Sequence, residues 1–188
     1  MNTRTLYETS RNNILKKGVI LIVNIREIKE DDAENHLSLC IKLDNETKFM
    51  LYEPGERTTT VERQREFVHS QITSEDSTIF VVEHENQLVG HLIVNGGKVK
   101  RIKHVGYLVV GILKEYTGQG IGTGLFNALE NWRIGTGIKR LELSVMVHNE
   151  AAVSLYKKMG FEIEGIKKKS LIIDGKYIDE YYMGKTFE

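Results

Sequence analysis

Apolar residues along this chain recur with two periods, and the switch between them marks out the elements. β-Branched and alternating runs predict strands at Val19–Ile28, Ser77–His84, Gln87–Asn95, Lys103–Leu113 and Lys139–Val147. Glu85-Asn86 makes a tight link between the second and third of these, and Gly18 supplies the turn of a hairpin that joins "RNNIL" to the first. Three-and-four spacing predicts helices. Asp31–Leu43 starts acidic and places Leu37, Cys40 and Ile41 on one face; Thr58–Ile72 buries Val61, Phe67 and Val68. Thr123–Gly137 carries Leu125, Leu129 and Trp132 on one face and Gly135 at its end. Asn149–Gly160 has an Asn cap and a Gly stop. The last segment folds back as two strands around Asp174-Gly175, a strong hairpin turn.

The predicted order is β-β-α-α-β-β-β-α-β-α-β-β. Antiparallel hairpins flank one strand–helix–strand unit, Lys103 to Val147, which is expected to be a right-handed parallel crossover. The fold class is therefore α/β (α+β), a mixed, mostly antiparallel sheet with helices on both faces. Residues 1–19 read as an N-terminal extension with a hairpin strand and residues 20–188 as one domain, since Pro54 is the only proline and no linker is advertised.

Composition narrows the function by exclusion. The formal net charge is zero, against a large basic field for nucleic acid. No run approaches the roughly 18 apolar residues of a membrane span. "KKGVILIVNI" has a short apolar part and no small-residue cleavage site after it, so it reads as a strand rather than a signal sequence. The single Cys40 forms no internal disulfide and reads as a small core residue; with six scattered histidines it offers no metal-ligand spacing, so no metal is expected. A reducing cytoplasm suits this cysteine usage.

The sequence "EYTGQGIGTGLF" places Gly118, Gly120, Gly122 and Gly124 where a strand gives way to a helix. Glycine weakens regular structure by about 0.5–1 kcal/mol per site, so this junction needs bare backbone. Two readings carry equal weight at this point. Amides at a helix start, where the dipole places about half a positive charge, suit a phosphate or pyrophosphate. Alternatively, the turn simply holds helix against sheet. No Lys follows the glycines as a P-loop requires, and their G-x-G-x-G-x-G spacing is not the dinucleotide pattern.

"VGILKEYTGQGIGTGLFNALENW", followed by "LELSVMVHNEAAVSLYKKMGFEIEG", resembles the acetyl-coenzyme A-binding core of the GNAT N-acetyltransferases. The likeness runs from about Ile20 to the C-terminus. The family motif [QR]-x-x-G-x-[GA] reads Thr117-Gly118-Gln119-Gly120-Ile121-Gly122 here, with Thr117 in place of Arg or Gln. The resemblance implies that backbone amides across Gly118–Thr123 hold the coenzyme A pyrophosphate. It also implies a central parallel strand pair that splays, with pantetheine in the gap against the backbone of Val110, Ile112 and Leu113. Asn149 matches a cofactor-contacting Asn, and Tyr156 matches a Tyr near the cofactor sulfur. The implied activity is acetyl transfer from acetyl-CoA to a primary amine, a small molecule or a peptide α-amine, by direct attack in a ternary complex.

Such a reaction needs a donor for the developing oxyanion, which a strand N–H supplies, and a proton for the departing thiolate, which Tyr156 supplies as general acid. Tyr107 stands where many relatives carry a carboxylate base; Glu53, Glu83 and Glu180 are the remaining candidates. Phe49, Tyr52 and Glu53, in the connection between the first two helices, are expected acceptor contacts. The lysine runs at Lys98–Lys103 and Lys167–Lys169 read as protected sheet edges, and exchange across such edges allows a homodimer. Without the strand carboxylate, a non-catalytic acyl-CoA-binding sensor is the alternative to an enzyme.

Overall fold

The computed structural model describes residues 10–16 and 19–188, with side chains from Ile22 onward. The predicted Gly18 turn lies outside the described residues. The elements are β1 (Ser10–Lys16), β2 (Val19–Glu27), α1 (Ala33–Glu46), α2 (Val61–Ile72), β3 (Thr78–His84), β4 (Gln87–Gly96), β5 (Val105–Ile112), α3 (Ile121–Arg133), β6 (Arg140–Met146), α4 (Glu150–Lys158), β7 (Glu162–Ile173) and β8 (Lys176–Thr186). Their order is the predicted one. The boundaries move where caps decide them. Thr60 accepts from the Arg63 N–H and starts α2 at Val61 rather than Thr58. Gly120, at φ +82°, starts α3 at Ile121 rather than Thr123.

All eight strands form one sheet in the order β1-β2-β3-β4-β5-β6-β8-β7. Every neighbouring pair is antiparallel except β5–β6, which is parallel. That pair is short. Val105, Gly106 and Tyr107 match Arg140, Leu141 and Glu142. Beyond them β5 runs on to Ile112 along β4, and β6 runs on to Met146 along β8, without pairing to each other. The centre of the sheet therefore opens into a wedge, the splay that the resemblance implies.

Helices cover both faces. His36 of α1 meets His91 of β4 on one face, where α1 also packs on α2. On the other, Trp132 of α3 meets Phe80 of β3 edge to face, with 6.4 Å between ring centroids. Phe80, Leu92, Leu125 and Leu129 are wholly buried there, each side chain stabilising the fold by about 1.5–3 kcal/mol. Arg26 ties the turn before α1 to the sheet: its guanidinium donates to both oxygens of Asp32, at 2.6 and 2.9 Å, and to Glu83 at 2.8 Å. Among the described residues, no helix is long and apolar enough to cross a membrane.

Candidate active site

Where β5 ends, a short turn, Lys114–Tyr116, leads into Thr117–Gly120. Gly118 (φ +72°) and Gly120 (φ +82°) both take the left-handed conformation that side chains resist. A Cβ at either position would meet nothing within 4 Å, so the requirement is conformational and the space outside is open. The loop is held from behind: Thr117 Oγ1 donates to the Lys114 carbonyl at 2.8 Å, and Gln119 Nε2 to the Glu115 carbonyl at 2.7 Å. The first α3 ladder bond runs from the Gly124 N–H to the Gly120 carbonyl, at 3.0 Å. The amides ahead of it, at Ile121, Gly122 and Thr123, are the N–H groups that a helix start leaves without carbonyl partners. Gly122 has a separate reason to be bare: a Cβ there would lie 2.6 Å from Leu155 Cδ2 of α4.

The turn opens into a cavity of about 1420 Å³ that follows the wedge between β5 and β6 and continues to α1 and the loop after it. Pockets for one drug-sized ligand run to roughly 1,000 Å³, so this one has room for two molecules side by side. Val110, Ile112, Thr117, Gly118, Gly120, Ile121, Gly122, Thr123, Asn149 and Tyr156 all line it, as do Phe49 and Tyr52. Leu113, Gln119 and Glu53 do not contribute to its wall. Leu113 is buried, its N–H bonded to the Val89 carbonyl at 2.9 Å. Gln119 turns back to brace the loop. Glu53 is exposed in a tight turn, with its N–H donating to Glu56 Oε2 at 2.8 Å and its carbonyl accepting from the Glu56 N–H at 3.1 Å.

Tyr156 is buried on α4 between Phe126 and Phe161, at ring distances of 5.9 and 6.1 Å. Burial, and secondarily the neighbouring Tyr107, push its hydroxyl pKa upward, so the group stays protonated at neutral pH. Asn149 caps α4, its Oδ1 accepting from the Ala152 N–H at 3.3 Å. Tyr107 lines the cavity on β5, and no carboxylate accompanies it on that strand. Of the other base candidates, Glu83 is committed to Arg26. Glu180 of β8 does reach the cavity and accepts from Ser170 Oγ at 2.5 Å.

Several lining residues escape sequence reading. Lys158 Nζ lies 3.3 Å from Thr123 Oγ1, which puts a cation beside the amides at the mouth of α3. Lys167 reaches Ser144 Oγ at 2.8 Å and lines the cavity, rather than only guarding the β7 edge. Arg57 stacks 4.4 Å over the Tyr52 ring while its Nε and Nη2 donate to Asp44 at 2.6 and 3.1 Å. The "scattered" histidines are not all scattered: the β4–α1 packing brings His36, Cys40 and His91 together. Phe49 packs against His148, with ring centroids 5.4 Å apart.

The model of the acetyltransferase (GNAT) family matches residues 30–161. The chain belongs to the GNAT family. The L-amino acid N-acetyltransferase AaaT of Escherichia coli (strain K12) is 33% identical over 106 residues, 54% of this chain and 64% of that protein. The matched stretch thus spans under two thirds of that relative's length. A Streptococcus pneumoniae GNAT acetyltransferase of known crystal structure superposes with a TM-score of 0.85 at 30% identity, covering 88% of this chain and 99% of the other. The Salmonella typhimurium protein yncA, solved with its cofactor acetyl-CoA, shares the fold at TM-score 0.78 and 14% identity, over 88% of this GNAT chain and 94% of its own.

One glycine of this GNAT chain, on β5 ahead of the glycine turn, is crowded from the α1 side. A Cβ at Gly111 would lie 2.6 Å from Leu43 Cδ1 and 3.1 Å from His91 Nε2, both buried side chains of the cavity wall. Gly111→Ala is expected to cost about 1–3 kcal/mol by overpacking, read as a lower urea midpoint at an unchanged slope.

Proposed function

We propose that this protein transfers the acetyl group of acetyl-CoA to a primary amine carried on an apolar or aromatic body, an amino acid or a peptide α-amine. The observation that carries this reading is the single cavity in which the glycine turn, the strand wedge, Tyr156 and an aromatic-lined end are continuous. The bare amides of Ile121–Thr123, the α3 dipole and Lys158 fit a diphosphate. The β5 backbone beyond Tyr107 has lost its β6 partner and fits the amides of pantetheine as an added strand.

The thioester supplies the acetyl group; the rest is positioning. A β5 N–H at the wedge stabilises the charge that develops on the carbonyl oxygen. Tyr156 delivers its hydroxyl proton to the departing sulfur. Glu180 meets the cationic amine, while Phe49, Tyr52 and Phe67 receive its apolar body. The amine proton leaves through solvent, since β5 offers no carboxylate. The names of relatives support an amine acceptor: besides AaaT they include the N-alpha-acetyltransferase 30 of Schizosaccharomyces pombe and an Escherichia coli spermidine N(1)-acetyltransferase.

Thiol release from acetyl-CoA over a panel of amino acids, peptides and polyamines tests the proposal, with calorimetric titration of acetyl-CoA beside it. Saturable binding with amine-dependent thiol release is expected. Binding without turnover on any amine would instead make this an acyl-CoA sensor, the reading that the missing β5 carboxylate favours. Within the panel, Glu180→Gln is expected to raise the acceptor KM about tenfold, the worth of one charge-assisted contact, and to leave acetyl-CoA affinity alone.

A further inference from the structure

His36 and Cys40 stand one turn apart on α1, and His91 faces them from the middle of β4. All three are buried, and all three contribute to the cavity wall. Each offers a nitrogen or sulfur ligand atom, and these atoms lie within 4.8 Å of one another. His36 Nε2 is 3.1 Å from His91 Nδ1. On its far side, His36 Nδ1 is 2.7 Å from the side-chain amide of Gln64. His91 Nε2 is buried and has no hydrogen-bond partner among the described residues. The two rings thus share one hydrogen bond, and the free Cys40 thiol stands in the same buried cluster.

We propose that His36, Cys40 and His91 form a binding site for a borderline-soft divalent metal ion, Zn²⁺ above all, with Gln64 orienting His36 and a fourth coordination position open to the cavity. Imidazole and thiolate are both ligand types that Zn²⁺ takes, and three protein ligands with a fourth position open is the pattern of non-structural zinc sites. Zn–N bonds near 2.0–2.1 Å and a Zn–S bond near 2.3 Å place tetrahedral ligand atoms roughly 3.3–3.6 Å apart. The two imidazole nitrogens already stand at about that spacing, 3.1 Å, and the sulfur, within 4.8 Å of both, closes by roughly 1.2 Å at most. Burial lowers the His36 pKa to about 4, with Arg57 adding to the effect, and burial also lowers that of His91, so both rings are neutral, as ligands must be.

The protons balance. His36 keeps its proton on Nδ1, donated to the Gln64 oxygen once that amide turns over, and His91 keeps its own on Nε2. Burial holds the Cys40 thiol up at about 11, so it is protonated without the ion and releases one proton as the metal–sulfur bond forms. The nearest fixed cation, Arg57, is neutralised by Asp44, so the thiolate leaves the site with one net positive charge.

The site is tested on tag-free protein stripped with chelator and dialysed, without coenzyme A, whose thiol would compete for the metal. Co²⁺ titration is expected to give one ion per chain, with a thiolate-to-cobalt band in the near ultraviolet and tetrahedral visible bands that Zn²⁺ abolishes. Calorimetry of Zn²⁺ in buffers of different ionisation enthalpy is expected to report about one proton released per ion. Cys40→Ser should remove the ultraviolet band and weaken Zn²⁺ at least about 100-fold. Gln64→Leu, which touches no ligand atom, should weaken it about 10–100-fold through the lost outer hydrogen bond. Thermal melts of each variant establish that it is folded. A cobalt complex without a thiolate band, or Zn²⁺ affinity unchanged in folded Cys40→Ser and His91→Asn, overturns the site. None of these readouts depends on acetyl transfer, so failure here leaves the proposed activity standing.

Discussion

Gly120→Asp is expected to weaken acetyl-CoA binding about 100-fold, measured by calorimetry. Position 120 caps α3 at φ +82°, and its missing Cβ faces open space rather than protein. Gly120 and the first α3 residues, Ile121 to Thr123, line the same cavity. An added carboxylate about 5 Å from a diphosphate, at an effective dielectric near 20, costs about 3 kcal/mol per unit of like charge, which is the expected loss. Gly120→Asn separates charge from backbone. Asn and Asp tolerate the left-handed region about equally, so the two variants share any conformational penalty and differ in charge alone. Asn is expected to lose less than about tenfold. If Asp and Asn bind acetyl-CoA equally well, no diphosphate lies at this helix mouth.

Tyr156→Phe is expected to lower kcat about 10²–10³-fold, within the range for loss of a general acid, while acetyl-CoA affinity changes less than about threefold. The substitution keeps the ring and its edge contacts with Phe126 and Phe161, so the melting temperature should hold. The wild-type pH profile carries a second signature. The Tyr156 pKa is raised, chiefly by burial, so the acid form persists through pH 10. The rate should then climb from pH 7 as the acceptor amine loses its proton, with no alkaline fall below about pH 10. The stability contribution has the same sign: it is fully present below the ordinary tyrosine pKa and is lost as pH rises through the raised one. A Phe variant with the wild-type kcat removes the acid role.

The glycine turn and the Asn149 cap were legible in the sequence because each is local, while Tyr156 was placed through the family resemblance. A left-handed helix entry demands Gly and an N-cap demands a short polar side chain, each within its own motif. The strand order was legible for a similar reason, since hairpin turns and one crossover leave few topologies. The acceptor end was not. Glu180 and Lys167 come from the last hairpin, whose place is set by sheet pairing across long separations; Lys158, at the opposite, α3-mouth end, comes from the last turn of α4. Glu53, local to the aromatic segment, is held out of the wall by its own four-residue turn, whose backbone bonds to Glu56. The His36–Cys40–His91 group was hidden on the same account. Its i, i+4 half lies on α1, but its third member, 51 residues beyond Cys40, arrives only through β4 packing.

Three residue pairs are all that stitch β5 to β6. In mechanical terms the eight strands are a five-stranded plate and a three-stranded plate with a short seam, braced by α3 and α4. On the proposed binding mode, a pantetheine arm in the open part of that seam acts as mortar. It then adds rungs that the polypeptide lacks, so a liganded molecule stiffer across its middle than the chain alone is the expected consequence, with the donor setting the angle at which the acceptor end meets the thioester.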